Sequence, residues 1–201
     1  PNGAQGQNPS GGFTCTGLFK LGSGNWLVGN DGRAFTGDTN NPSLVELSSD
    51  FTTIVNEWDM SVINGPRSIQ GVIEANDGTF YFASPGDGNL VNVTSTGALI
   101  DKEFLGVAIN GLAYDPVNNY LWYSIVGSTI AIEYDLSTDT ATGKQITILD
   151  NTDQMYYQPS TKLLYCTAGN NGVNGEVNVV DTVVGYTVAI FTDLEDCQAI
   201  E

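Results

Sequence analysis

Five polar side chains recur at one position of a repeated four-residue pattern, in which an apolar residue is followed by a polar, a small and another apolar residue. They are Thr16, Gln70, Asn110, Asp153 and Gln198. If each occupies one level of a strand around a common axis, together they would form a polar channel ring. Such a ring suits a small molecule or an ion, or its members hydrogen-bond across a water-filled tunnel as part of the framework. Asp153 is its only ionisable member and therefore the residue to test.

Four carboxylates on neighbouring segments could act as general acids and bases: Asp150, Asp153, Glu195 and Asp196. Acidic residues at such places also serve solubility, so both interpretations stay open. The chain contains no histidine, which excludes the Ser-His-Asp and Cys-His arrangements of nucleophilic catalysis. No glycine-rich nucleotide-binding pattern follows a predicted strand.

The elements that must position these residues form a repeat of roughly 45 residues, a period typical of propeller blades. Within each copy, short apolar and β-branched runs alternate with hairpin signals such as Asp77-Gly78. The sequence therefore predicts an all-β β-propeller with four recognisable four-stranded blades plus the first strand of a further blade. The predicted parts are a polar N-terminal segment at 1–12 and blades at about 13–60, 67–105, 107–149 and 152–192, with the start of another at 195–201.

Two details of this prediction concern individual strands. In the third repeat the four strands are expected at Ile109 to Tyr114, Tyr120 to Ile125, Thr129 to Tyr134 and Gln145 to Leu149. The strand at the C-terminal end has three explanations: the chain is part of a longer protein, the strand completes a small ring with the N-terminal segment, or subunits donate strands to one another through an open blade edge.

Charge narrows the classes of partner. Six Lys and Arg residues against 23 Asp and Glu residues give a net charge of −17, which repels nucleic acid and anionic membrane surfaces. The sequence contains no apolar run long enough for a membrane span. An acidic surface keeps a protein soluble or recruits divalent cations such as calcium, and it also suits a secreted or saline setting.

The cysteines and aromatic residues leave alternatives open. The three cysteines lack the spacing of a structural zinc site. Cys15 and Cys197 occupy equivalent repeat positions and would form a disulfide if the ring brings them together; otherwise all three thiols are free. Aromatic residues such as Tyr156, Tyr157 and Tyr165 could stack on sugars if exposed, but packing between blades is the expected role.

Two stretches resemble blades of the NHL, YVTN and SMP-30-like propeller superfamily: Gly71 to Glu74 with Asp77 to Ser84, and Gly111 to Pro116 with Leu121 to Ser124. The resemblance implies a ligand face built from the loops between second and third strands and the loops between blades. On this chain that face would receive Asn30, Asp31, Arg33, Asp38, Arg67, Asp87, Asn89, Asn170, Asn171, Asn174 and Glu176, together with Asp150, Asp153, Glu195 and Asp196. The last four could bind calcium through their oxygen atoms.

These observations favour a non-catalytic binding or assembly module of a secreted, cell-surface or virion-associated protein, with a protein or glycan partner. The alternative is a divalent-cation-dependent hydrolase or lyase of the SMP-30-like or phytase-like type.

Overall fold

The structure is a computed structural model that describes residues 15–30, 42–64, 69–150, 152–170 and 173–194. Its described strands form four antiparallel sheets of four strands each, every one a simple meander in chain order. This arrangement is a four-blade β-propeller, which confirms the predicted fold class. The segments at 1–12 and 195–201, with Gln198, lie outside the described residues.

Each blade runs from an inner strand to an outer edge strand. Blade 1 consists of β1 (Cys15–Lys20), β2 (Trp26–Asn30), β3 (Ser43–Leu47) and β4 (Ile54–Asp59), followed by the short helix α1 (Ser61–Asn64). Blade 2 consists of β5 (Gln70–Glu74), β6 (Phe80–Ser84), β7 (Asn89–Val93) and β8 (Leu99–Phe104). Blade 3 consists of β9 (Ile109–Asp115), β10 (Tyr120–Ile125), β11 (Ile130–Asp135) and β12 (Thr140–Thr147). Blade 4 consists of β13 (Thr152–Gln158), β14 (Leu163–Asn170), β15 (Val173–Asp181) and β16 (Tyr186–Leu194).

The prediction for the outer strand of blade 3 was wrong in its boundaries, because β12 begins at Thr140 rather than Gln145. Its first six residues are exposed. An edge strand exposed on both faces needs no apolar alternation, so the polar stretch from Thr140 to Lys144 gave no strand signal. The helix α1 was not predicted either; its first residue, Ser61, donates a backbone hydrogen bond of 2.8 Å to Asp59 Oδ1.

Among the described residues the core consists of three apolar clusters, which lie between blades 1 and 2, blades 2 and 3, and blades 3 and 4. The first contains Leu27 of blade 1 and Phe82 of blade 2, and the second contains Ile73 of blade 2 and Leu121 of blade 3. Trp122 of blade 3 packs with blade 4 in the third cluster. Burying these interfaces supplies the main driving force for folding. No helix in the described part of the chain has the length and apolar character to cross a membrane.

Glycine permits the inner strands of neighbouring blades to approach closely. At Gly71 the backbone has φ +33, and an added Cβ would lie 2.5 Å from Leu112 N of the next inner strand. At Gly111 an added Cβ would lie 3.1 Å from Asp153 O. The small residue of the repeated pattern is therefore a contact position between two backbones, one that no larger side chain fits without displacement.

The turn between β3 and β4 provides a testable electrostatic feature. Asp50 Oδ1 accepts hydrogen bonds from Ser48 Oγ at 2.6 Å and Thr52 Oγ1 at 2.8 Å. These bonds, that from Ser48 first, lower the pKa of Asp50 from 3.8 to about 2. The carboxylate therefore stabilises the turn fully above its ordinary pKa, and this stabilisation is lost as the pH falls through about 2.

We expect a carboxyl-carbon NMR titration to place the midpoint of Asp50 near 2. Ser48→Ala should raise that midpoint toward 3.8, because it removes the strongest hydrogen bond to the ionised form. An unshifted midpoint in the unmodified protein would contradict this assignment.

Candidate functional site

The described members of the predicted channel ring lie where the inner strands begin, an end of the propeller that we call the entry end. Thr16 Oγ1 donates to Ile69 O of blade 2 and also lies 3.1 Å from Gly29 O. Asn110 Nδ2 donates to Asp153 Oδ1 at 2.9 Å, which joins blades 3 and 4. Gln70 is half-buried on β5. Three of the predicted ring members thus connect neighbouring blades.

The junction between blades 4 and 1 is built differently from the others. The fourth copy of the pattern has Gln154 where the first three copies have glycine. Its side-chain amide nitrogen donates to Thr16 O of blade 1, and the residue is 6% exposed. At this junction a buried side chain therefore connects two inner strands, whereas at the other junctions the backbones of the inner strands are in close contact. The hydrogen bond links the last described blade to the first.

The predicted acidic face is only partly within the described residues. Asp150 is exposed, and Asp153 is hydrogen-bonded to Asn110. The other carboxylates proposed as calcium ligands, Glu195 and Asp196, lie outside the described residues. Within the described segments no group of three or more Asp, Glu, Cys or His side chains could hold a metal ion. The calcium site therefore stays a prediction.

Other residues of the predicted face take part in local contacts. Asn30 is 4% exposed and donates to Ser43 Oγ at 3.1 Å. Asp87 forms an ion pair of 3.0 Å with Lys102 of the same blade. Asn89 is buried, and Glu176 is half-buried on β15. Asn170 and Asn174 lie on β14 and β15, and the remaining members lie outside the described residues: Asp31, Arg33, Asp38, Arg67 and Asn171.

A cavity lies at the opposite end of the propeller, where the inner strands finish and the first hairpin turns follow. We call this the turn end. A cavity of about 850 Å³, the axial cavity, opens there, and all four blades contribute to its lining. Pockets for small molecules usually measure about 300–1,000 Å³. The structure therefore contains a space of ligand size at the end where the sequence did not predict one.

The innermost lining of the axial cavity has a regular origin. Each inner strand contributes the residue four positions after the polar member of its repeat, and these residues form what we call the cavity ring: Lys20, Glu74, Tyr114 and Tyr157. Burial raises the pKa of both tyrosines, so their hydroxyl groups stay protonated at neutral pH. The cavity ring combines an ammonium group, a carboxylate and two phenols.

The polar groups of the axial cavity are held by neighbouring turns. Glu74 Oε2 accepts a 2.7 Å hydrogen bond from Gly22 N of blade 1. Tyr114 Oη donates to Asn119 Oδ1 at 2.8 Å and accepts from Asn76 N at 3.1 Å. These bonds fix the orientation of both side chains before any ligand arrives, which is the usual condition for specific polar recognition.

Aromatic side chains form the walls. Trp26 stacks on Phe51 with ring centroids 4.9 Å apart, and the Lys20 ammonium lies 5.0 Å from the Trp26 ring centroid. Tyr156 of blade 4 is 37% exposed and 6.1 Å from the Tyr165 ring. Tyr156 is thus the aromatic wall residue with substantial exposed surface for a ligand, whereas Trp26 is buried.

The described lining contains one carboxylate, Glu74, and no second acid beside it. Acid–base catalysis by paired carboxylates needs two such groups flanking the reacting bond. The rest of the described lining is apolar and aromatic, with a few oriented polar groups.

Sequence reasoning missed the axial cavity, although one signal was present. The third and fourth inner strands end in Tyr114-Asp115-Pro116 and Tyr157-Gln158-Pro159, the same Tyr-X-Pro pattern at equivalent positions. Both tyrosines and both prolines line the cavity. A repeated aromatic residue at a strand end was therefore the available clue.

No protein-family model matches the sequence, and no curated protein sequence is detectably similar. Solved structures share the fold. Glutaminyl cyclase from Myxococcus xanthus superposes with a TM-score of 0.67 at 16% identity, over 89% of this chain and 70% of that one. Streptogramin B lyase gives a TM-score of 0.59 at 12% identity, over 87% of this chain and 53% of that one.

Hydrazine synthase from Kuenenia stuttgartiensis gives a TM-score of 0.61 at 12% identity, over 90% of this chain. The present chain spans about half of that chain, 49% of its length. Glutaminyl cyclase and streptogramin B lyase are propeller proteins. At these identities the similarity demonstrates the propeller fold alone.

Proposed function

We propose that this chain is a binding module of a β-propeller protein and that the axial cavity takes up a ligand with an apolar or aromatic body. The observation that supports this most directly is the composition of the lining, in which aromatic and apolar side chains surround one carboxylate and one ammonium group. A ligand of this kind would lie against Tyr156 and present a polar group to the cavity ring.

We also propose that the repeats are of the NHL, YVTN and SMP-30-like type and that the module works in a secreted, cell-surface or virion-associated protein. Its acidic composition, with a net charge of −17, supports a surface setting. A calcium ion bound by Asp150, Asp153, Glu195 and Asp196 would favour the alternative function, a divalent-cation-dependent hydrolase or lyase. Isothermal titration with calcium tests whether the protein binds this ion.

The binding proposal predicts saturable uptake of a neutral aromatic probe, N-phenyl-1-naphthylamine, with a rise in its fluorescence. Tyr156→Ala should weaken probe binding about tenfold, because a stacked aromatic contact of about 1.5 kcal/mol is lost. Leu18→Trp, which adds bulk from a half-buried position of the lining, should weaken binding further.

Tyr186→Ala is the matched control, since Tyr186 is 66% exposed on the outer strand β16 and does not line the axial cavity. It should leave probe affinity unchanged. Equal probe affinity in Tyr156→Ala, Leu18→Trp and the unmodified protein would overturn the proposal.

A further inference from the structure

A second cavity, of about 230 Å³, lies between the outer halves of blades 2 and 3. One wall is a row of cross-strand neighbours on blade 2, in which Tyr81 is opposite Asn92 and Asn92 is opposite Asp101. The other wall contains Tyr134 of β11 in blade 3. The cavity is separate from the axial cavity and from the channel ring, and no property assigned above uses it. We call it the interblade cavity.

Two polar atoms of this cavity are buried without a hydrogen-bond partner: the hydroxyl oxygen of Tyr134 and Oδ1 of Asn92. Tyr134 is 3% exposed, and its ring is held edge-on to Tyr123 at 6.4 Å. Asn92 Nδ2 donates to Tyr81 Oη at 2.9 Å. This bond fixes the orientation of the amide, and Oδ1 has no hydrogen-bond partner. Folded proteins pair nearly all such buried atoms, so two unpaired polar atoms from the lining of one cavity point to a ligand there.

The charge around the interblade cavity has one sign. Asp101, Glu103 and Asp139 contribute carboxylates to the lining, and the described lining contains no Lys or Arg. The nearby Lys102 is paired with Asp87. Burial, reinforced by the carboxylates of Glu103 and Asp139, raises the pKa of Tyr134. Its hydroxyl is therefore a protonated group that both donates and accepts, and it faces a negative environment.

A metal ion is not the cation that this geometry favours, because the described residues contain no group of three carboxylates that could hold one. The remaining lining includes the apolar side chains of Leu90, Ile100 and Leu136. A water molecule takes up roughly 30 Å³. The interblade cavity therefore has room for a cationic head group together with several carbon atoms.

We propose that the interblade cavity binds a primary ammonium group carried on a short alkyl chain. The ammonium group has three N–H donors. It donates to Asn92 Oδ1, to Tyr134 Oη and to a carboxylate of the lining, while the alkyl chain lies against Leu90 and Leu136. A free alkyl diamine and a lysine side chain of another protein offer the same chemistry.

The test is isothermal titration of the full chain at physiological salt with two probes. The first is 1,5-diaminopentane, and the second is a lysine residue blocked as its Nα-acetyl methylamide. Binding of the diamine alone identifies a free amine as the ligand, and binding of the blocked lysine identifies a side chain. Tetramethylammonium, which has the charge but no N–H donor, should not bind. Absence of binding by both amines, or equal binding of tetramethylammonium, overturns the proposal.

Variants separate this site from general attraction to an acidic protein. Tyr134→Phe should weaken amine binding about tenfold, as expected for one hydrogen bond to a charged group, and should leave the melting temperature unchanged or higher because a buried unpaired hydroxyl is removed. Asp101→Asn should also weaken binding several-fold. Glu57→Gln removes the same charge from the exposed outer strand of blade 1 and is the control. Equal affinity in Tyr134→Phe and the unmodified protein would place the amine elsewhere.

Discussion

Gly71→Ala should destabilise the propeller by about 2–5 kcal/mol, because two penalties apply at one residue. The backbone at Gly71 is in the left-handed region, with φ +33, where an L-residue costs about 1–2 kcal/mol. The added methyl group would also lie 2.5 Å from Leu112 N and 2.7 Å from Asn110 O, which forces the inner strands of blades 2 and 3 apart. Overpacking of this kind costs about 1–3 kcal/mol.

Urea denaturation followed by tryptophan fluorescence measures the change. Gly78→Ala is the matched control, since Gly78 has φ +79 in the neighbouring turn but no atom within 4 Å of an added Cβ. Gly78→Ala should be destabilised only by the backbone penalty, about 1–2 kcal/mol. If the two variants were equally stable, close backbone contact at Gly71 would have no energetic role.

Trp122→Ala should lower the free energy of unfolding by about 3–5 kcal/mol, the cost typical of removing a large buried aromatic side chain. Trp122 is 1% exposed and packs between blades 3 and 4 in the cluster that contains Met155 and Tyr157. Those two residues line the axial cavity. Loss of the indole therefore removes the support behind the cavity wall, and probe binding should fall together with stability.

Tyr156→Ala provides the contrast. Tyr156 lines the same cavity but is 37% exposed, so its removal should cost about 1 kcal/mol or less in stability while probe binding is weakened. Denaturation and probe titration of both variants distinguish a residue that supports the cavity wall from one that contacts the ligand. Unchanged stability of Trp122→Ala would show that the third core cluster does not hold blades 3 and 4 together.

The sequence was most informative where local chemistry decides structure. Turn signals such as Asp77-Gly78 located the hairpins, because only a few residues adopt the positive φ that these turns need. The first three strands of blade 3 agree with prediction within one residue at each end. The edge strand β12 was mislocated at its start because an exposed polar strand lacks the apolar alternation on which strand prediction rests.

The candidate sites were predicted unevenly for a physical reason. The channel ring was predicted because Thr16, Gln70 and Asn110 are all polar at one repeat position. Its described members lie where the inner strands begin, and its role as a ligand site stays a prediction. The cavity ring was not visible because Lys20, Glu74, Tyr114 and Tyr157 share no chemistry. A cavity depends on the volume that all four blades leave unfilled, and no single repeat contains that information.

Gln154 gives the propeller a property that its glycine-lined junctions lack. Where backbones touch, a further repeat could enter the circle only by breaking a close fit along two strands. At the junction of blades 4 and 1, by contrast, the side-chain amide of Gln154 reaches Thr16 O. A repeat added at this place would leave the glycine contacts of the other junctions intact.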